Sequence, residues 1–205
     1  MRNPWLRLGL FAAIAGLFLL GYYWGNQYRR PELSEVNTAI LLRPPLPLPE
    51  FRATDFTGQV LGRDRLRGHW GLLLVGATDA PATRRGLAQL SRIHNRLGEY
   101  PELQEALRPL LISPDPEQDT LDRLRDTAHA YNPAMSAARG AETDLRELLA
   151  ALGVPSAAED TDPHRPAALY LLDPEVRVLA LFTADQDPAA VARDIRLILE
   201  AAPGT

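Results

Sequence analysis

Apolar and polar residues follow one another along the chain in segments that predict strands and helices in turn. Two apolar segments, Trp70–Val75 and the run 110–112 inside Leu107–Ser113, are typical of strands buried on both faces of a sheet. Between them, leucine and isoleucine recur at helical spacing over 87–97. The pattern therefore predicts a strand, a helix and a second strand, which ends at Pro114.

Two more helices are predicted next. Either Asp119 or Thr120 caps a helix whose apolar side chains share one face over 121–131. Thr143 caps the following helix, and Gly153 ends it. Both helices have polar residues on the opposite face, so each is expected to cover the sheet with one side.

The last third of the chain predicts a hairpin and a final helix. Strands over 167–172 and 176–183 are joined by a tight turn at 173–175, and Asp187 caps a helix with Pro188 in its first position. A strand–helix–strand half followed by a hairpin–helix half is the thioredoxin-like arrangement. The predicted fold class is α/β, with a mixed sheet flanked by helices on both faces. Residues 54–60 predict an extra N-terminal hairpin.

The N-terminal segment predicts a membrane anchor. Residues 8–24 contain no charged side chain and end in Tyr22, Tyr23 and Trp24, which suit a membrane–water interface. A cleaved signal peptide is the alternative, but small residues at a cleavage site do not follow the apolar run. We expect an uncleaved single-pass helix in the bacterial inner membrane, with the rest of the chain in the periplasm.

The predicted domain organisation has three parts. Residues 1–25 are the transmembrane anchor, 26–49 are a juxtamembrane and proline-rich linker, and 50–205 are the thioredoxin-like domain. The proline-rich part of the linker, 43–49, is expected to be extended, because proline suits neither a helix interior nor a central strand.

Composition excludes several classes of function. The 205 residues include 22 basic and 26 acidic side chains and no cysteine. Without thiols, disulfide exchange and thiolate metal centres are excluded. The mild net negative charge argues against binding to nucleic acid. Motifs for a nucleophilic serine or a phosphate-binding loop are absent, so we do not expect an enzyme.

Four motifs resemble those of one family. The segment 112–120 is similar to the pattern [IV]-S-V-D-P-x-R-D-T, 75–81 to F-G-[FY]-T-x-C-P, 66–70 to L-x-G-K-W, and 169–174 to Y-L-[IV]-x-P. In their order and spacing along the chain, these motifs resemble those of the SCO/SenC family of membrane-anchored, thioredoxin-fold copper chaperones for cytochrome c oxidase. The resemblance covers 38–199 and implies that fold and a link to oxidase assembly.

The metal ligands of that family do not match. The resemblance places Ala80 and Arg84 at the two cysteine positions and Arg165 at the distal histidine, with His164 one residue away. Alanine offers no ligand, arginine repels a cation, and a one-residue shift in a strand turns the side chain to the other face. We therefore expect no copper cofactor. Arg84, with Arg85, is either a solvated remnant or a positive patch for an acidic partner.

The resulting expectation is a membrane-anchored, non-catalytic protein that assists oxidase assembly through contacts with oxidase subunits or other assembly factors. The alternative is a metal-binding protein with a replacement site of His164 and Asp79. The remaining histidines lack metal-ligand spacing, and His94 and His129 are predicted on helix surfaces. Asp115 and Asp119 could suggest an acid–base pair, but their spacing favours turn and cap roles.

Overall fold

The computed structural model describes residues 16–17, 36–155 and 166–202. These residues form one eight-stranded mixed sheet with helices on both faces. The predicted anchor lies outside the described residues except for positions 16 and 17. Among the described residues, no helix has the length and apolar character needed to cross a membrane.

Strands and helices alternate over most of the described chain. The strands are β1 Ile40–Pro47, β2 Ala53–Asp55, β3 Val60–Leu61, β4 Trp70–Val75, β5 Leu107–Ser113, β6 Ser136–Arg139, β7 Ala168–Leu172 and β8 Arg177–Thr183. The helices are α1 Arg63–Leu66, α2 Pro81–Arg96, α3 Pro101–Ala106, α4 Leu121–Tyr131, α5 Glu142–Leu152 and α6 Pro188–Ala201. A 3₁₀ turn, Leu97–Glu99, joins α2 to α3.

The strand order is β1-β8-β7-β4-β5-β6-β2-β3. Strands β4, β5 and β6 are parallel to one another, and β7, β8 and β1 follow on one side as antiparallel neighbours. The parallel strands end at one pole of the sheet, where β7 begins. We call this end the upper pole, and the end where β4 begins the lower pole.

The predicted arrangement of strands and helices is confirmed over the described residues. The hairpin near residue 54 is β2–β3, and Asp187 caps α6 by accepting backbone hydrogen bonds from Ala189 and Ala190. The cap predicted at Thr143 is wrong, because the helix begins at Glu142 with Ala141 as the N-cap residue. Strand β6 was not predicted, because its four residues are too short for a clear pattern.

The core has two layers, one on each face of the sheet. Alternate residues of β4 divide between them: Leu72 and Leu74 pack with α2 and α6, whereas Leu73 packs with α5. All three leucines are fully buried. The continuous apolar run in β4 is therefore explained by helices that cover both faces, as parallel strands require.

Strand β1 brings the predicted linker into the sheet. It pairs antiparallel with β8 as an edge strand, with a register irregularity between Leu41 and Leu46. An edge position tolerates the prolines, which cannot donate to a neighbouring strand. The sheet thus includes Ile40–Pro47, which lies within the segment 26–49 that the sequence assigns to the linker.

A buried carboxylate fixes the residues before β1. Asp194 of α6 is fully buried, and its Oδ2 accepts backbone hydrogen bonds from Asn37, Thr38 and Ala39 at 3.0, 2.5 and 3.3 Å. Gln186 adds a side-chain hydrogen bond to the carbonyl oxygen of Thr38 at 2.8 Å. The chain therefore enters the sheet at a fixed point beside α6. We call this set of contacts the Asp194 clasp.

The Asp194→Ala substitution is expected to lower the free energy of unfolding by about 1–3 kcal/mol, because three partly buried backbone donors lose the one carboxylate oxygen that accepts from them. Chemical denaturation of the full-length protein measures the change. The control is Glu147→Ala, which removes an exposed carboxylate from α5 and should change the stability by less than about 0.5 kcal/mol. Equal effects of the two substitutions would contradict a structural role for the clasp.

Candidate functional site at the upper pole

The candidate site lies where β4 ends and α2 begins. Ala80 is the N-cap residue of α2, and its carbonyl oxygen accepts a backbone hydrogen bond from Arg84 at 3.1 Å. Both residues are thus in the first turn, four positions apart and on one side of the helix. Arg84 is exposed, as predicted, and its guanidinium donates to the carbonyl oxygen of Asp79 at 2.7 Å.

A close contact fixes the path of the chain from β4 into α2. A Cβ atom on Gly76 would lie 2.2 Å from Oγ1 of Thr83, which is far below any real contact. Thr83 is buried in the first turn of α2. Glycine is therefore required at position 76, and the loop 76–80 passes directly over the start of the helix.

A buried hydrogen-bond network supports this loop from below. Asp119 is 1% exposed and accepts from the Thr78 amide at 2.9 Å, from the Thr78 hydroxyl, and from the Ser113 hydroxyl at 2.5 Å. The network joins the loop after β4, the end of β5 and the start of α4. The cap of α4 is Thr120, whose hydroxyl accepts from the Arg123 amide, so Asp119 serves as a buried brace instead.

We expect Asp119→Ala to lower the free energy of unfolding by about 3 kcal/mol or more, because it leaves one amide and two hydroxyl donors buried without their acceptor. Hydrogen exchange should also accelerate at the Thr78 amide. The matched control is Asp122→Ala, which removes an exposed carboxylate from α4. If Asp119→Ala and Asp122→Ala unfold at the same denaturant concentration, the brace contributes nothing to stability.

The proposed acid–base pair of Asp115 and Asp119 has structural roles, as expected. Asp115 Oδ1 accepts from the backbone amides of Glu117 and Gln118 at 3.2 and 3.1 Å, which closes the turn after β5. The carboxylate of Asp119 is fully engaged in the buried network. Because Asp119 is buried and both of its carboxylate oxygens accept hydrogen bonds, it is not available as the partner in an acid–base pair.

A groove of about 670 Å³ opens at the upper pole beside the first turn of α2. Small and apolar residues make up most of its wall, among them Val75, Ala80, Ala141, Leu149, Ala168 and Leu181. Within the part of the chain that the structure describes, Asp115, Glu117 and Glu142 are the charged residues that line it. The start of α2 therefore faces an apolar surface with an acidic edge.

The distal position of the site lies outside the described residues. His164 and Arg165 both fall in the segment 156–165, between Pro155 and Pro166, which line the groove. Asp79, the other member of the alternative metal site, is exposed in the loop before α2. Within 36–155 and 166–202, no three histidine, aspartate or glutamate side chains are grouped closely enough to hold a metal ion.

The prediction for His94 is wrong, whereas His129 is on the surface as expected. His94 is 7% exposed, and its Nδ1 lies 3.0 Å from Nδ2 of Asn132. Burial lowers the pKa of His94, against the opposing effect of backbone hydrogen bonds at Gln104 and Leu107. The side chain is therefore a neutral acceptor that joins α2 to the end of α4.

Stability is expected to fall with pH below about 6.5, the usual pKa of histidine, because the unfolded chain then binds a proton that folded His94 resists. The His94→Gln substitution, which can still accept from Asn132, should flatten this dependence between about pH 7 and pH 5.5. Urea denaturation across that range tests it. An unchanged slope in His94→Gln would contradict the assignment.

Comparison with known proteins is consistent with this geometry. The sequence model of the SCO1/SenC family matches residues 44–200. The human mitochondrial SCO1 homolog is 23% identical over 198 residues, which cover 93% of this chain and 65% of the human protein. The mitochondrial SCO2 homolog of Danio rerio is 22% identical over 186 residues, which cover 87% and 66%. This chain spans less than two thirds of the length of these relatives.

The fold matches solved Sco structures. The crystal structure of yeast Sco1 with copper bound superposes with a TM-score of 0.65 at 19% identity, over 77% of this chain and 95% of the yeast chain. The solution structure of apo Sco1 from Thermus thermophilus gives a TM-score of 0.61 at 22% identity, over 78% and 95%. The described residues therefore have the thioredoxin-like fold of Sco proteins. The chain belongs to the SCO1/SenC family, as a divergent member without cysteine.

Proposed function

We propose that this chain is a membrane-anchored, non-catalytic SCO/SenC protein that assists the assembly of a respiratory cytochrome c oxidase through protein contacts, without binding copper through thiolates. Family membership supports the link to oxidase assembly. Membership alone does not supply a mechanism, because function depends on the site. The mechanism therefore has to come from the residues at the upper pole.

The observation that carries the proposal is the identity of the two residues at the start of α2. The resemblance places cysteines at positions 80 and 84, and this chain has Ala80 and Arg84. Copper(I) selects soft thiolate and thioether ligands, which neither residue supplies. The Arg84 guanidinium instead holds the carbonyl oxygen of Asp79. What remains at the pole is a braced loop and an apolar groove, which suit contact with another protein.

The proposed location follows from residues 8–24, which carry no charged side chain. A helix over this segment, in the bacterial inner membrane, would place the sheet in the periplasm near oxidase subunits or other assembly factors. Carbonate extraction of membranes from cells that make the full-length chain tests the anchor. Retention in the pellet is expected, and release of a shortened soluble protein would support a cleaved signal peptide.

The assembly role is tested in cells that lack this chain. We expect a reduced content of assembled oxidase, measured by its haem spectrum and activity, and restoration by the full-length chain. Because the proposal involves contacts rather than copper delivery, added copper should not restore the oxidase. Normal oxidase content without the chain, or full rescue by copper, would overturn the proposal.

A further inference from the structure

The point where the chain enters the sheet lies at the same pole as the groove. Strand β1 starts at Ile40, which pairs with Leu181 of β8, and Leu181 lines the groove. The Asp194 clasp holds the three residues before Ile40 against α6. The segment that leads toward the predicted anchor thus leaves the domain beside the groove.

This placement limits how far the groove can lie from a membrane. Between the predicted anchor and Asn37 there are the residues 26–36, which can span at most about 40 Å when fully extended. If the anchor is in the bilayer, as the proposed function states, this tether keeps the clasp within about 40 Å of the bilayer surface. Segments of membrane-bound proteins that lie near the bilayer surface are then within reach of the groove.

The charge at the groove edge restricts the partner further. Among the described residues that line the groove, the charged ones are carboxylates: Asp115 is half-buried, and Glu117 and Glu142 are exposed. Neither glutamate forms an ion pair with any residue in 36–155 or 166–202. Arg84 and Arg139 of the same pole donate to backbone oxygens, of Asp79 and of Pro116 and Asp119 respectively, and neither of these two arginines lines the groove. The edge is therefore complementary to a basic segment.

We infer that the groove binds an extended segment of a membrane-bound protein in which arginine or lysine side chains flank small apolar residues. Apolar contact with the alanine-rich wall supplies the attraction, and the two exposed glutamates select basic over acidic segments. Because this chain has no cysteine, no mixed disulfide can hold the partner, and the contact is entirely non-covalent. The inference rests on the proposed function for the membrane location, whereas the groove chemistry stands on the lining residues.

The test uses the full-length protein in a neutral detergent and two fluorescent peptides with the same apolar centre. One peptide has arginines on both sides of the centre, and the other has glutamates. Fluorescence anisotropy should show binding of the arginine peptide that is at least about tenfold tighter than binding of the glutamate peptide. Higher salt should reduce the difference, because the glutamates of the groove edge are exposed.

Charge reversal identifies the binding surface. The double variant Glu117→Lys, Glu142→Lys should weaken binding of the arginine peptide by at least about tenfold. It should also bind the glutamate peptide more tightly than the arginine peptide. The matched control is Glu102→Lys, Glu105→Lys, which reverses two exposed carboxylates of α3 at the lower pole and should leave both affinities unchanged. Equal binding of the two peptides, or no effect of the groove variant, would overturn the inference.

Two further outcomes separate the possible failures. If the arginine peptide binds only after residues 156–165 are replaced by glycine and serine, that segment of the chain itself occupies the groove, and the inference is overturned. Flotation of the full-length protein with liposomes tests the membrane location by itself. Peptide selectivity without flotation would refute the membrane-bound partner and the proposed anchor, yet support basic recognition by the groove.

Discussion

Purified full-length protein is expected to take up neither copper(I) nor copper(II) in stoichiometric amounts when it competes with a copper chelator. A transfer site for copper needs about three good ligands, and thiolates dominate for copper(I). Ala80 supplies no donor atom, and Arg84 carries a permanent positive charge at the second position. A single imidazole at His164 would leave weak copper(II) association of the kind that any accessible histidine shows.

Restoring the two thiols should create copper binding at this site. In the double variant Ala80→Cys, Arg84→Cys, both sulfur atoms belong to the first turn of α2, at the N-cap residue and one turn later. The helix N-terminus lowers the pKa of a thiol placed there, which favours the thiolate that binds copper(I). We expect a gain of several orders of magnitude in apparent copper(I) affinity, measured by the same chelator competition.

The matched control places the same pair elsewhere on the same helix. Arg92→Cys, Arg96→Cys has identical spacing on exposed positions near the end of α2, where the helix dipole opposes a thiolate. This pair should bind copper(I) much more weakly than the pair at 80 and 84. One equivalent of copper on the unmodified chain, abolished by His164→Ala, would instead establish the alternative metal site.

Much of the fold could be predicted because burial on two faces leaves a strong pattern. The apolar run of β4 and the helical spacing of 87–97 are both imposed by the core, so each was predicted correctly. Strand β6 was not predicted, because it has only four residues and alanines at its buried positions, which do not form a clear hydrophobic pattern. Strand β1 was not predicted, because its prolines are typical of a linker. The structure accommodates them because β1 is an edge strand, where proline is tolerated.

Polar residues of the core were harder to predict. From the sequence alone, Asp119 could be a helix cap, because it lies just before a predicted helix. Its contacts with Thr78 and Ser113 depend on other elements of the fold, so the local sequence does not reveal them. Asp194 did leave a signal, since it lies three residues after Val191 and four before Ile198 on the buried face of α6. A carboxylate on such a face predicts a buried partner.

The sequence predicted the location of the candidate site but not the groove beside it. The motif at 75–81 located the start of α2 correctly, and the exposure of Arg84 was expected. The groove could not be anticipated, because its wall combines small residues from the loop after β5, from α5 and from β7. Alanines at such distant positions carry no common pattern in the sequence.

The substitution with the largest expected effect on stability is Leu73→Asp. Leu73 is fully buried in β4 between Leu110 of β5 and Tyr170 of β7, and it packs on the α5 side of the sheet. A carboxylate there would have no cation and no water. The cost of burying an unpaired polar or charged group is several kcal/mol, which is comparable to the whole stability of a domain.

Leu73→Asp should therefore abolish cooperative unfolding and the near-ultraviolet circular dichroism of the tryptophan and tyrosine side chains. Two variants separate the causes. Leu73→Met keeps the volume and should cost less than about 1.5 kcal/mol, and Val60→Asp introduces the same charge at an exposed position of edge strand β3 with little effect. Because these controls change shape and charge separately, loss of the fold in Leu73→Asp alone identifies burial of charge in the central strand as the cause. A cooperative transition at the midpoint of the unmodified protein would mean that β4 is not buried on both faces.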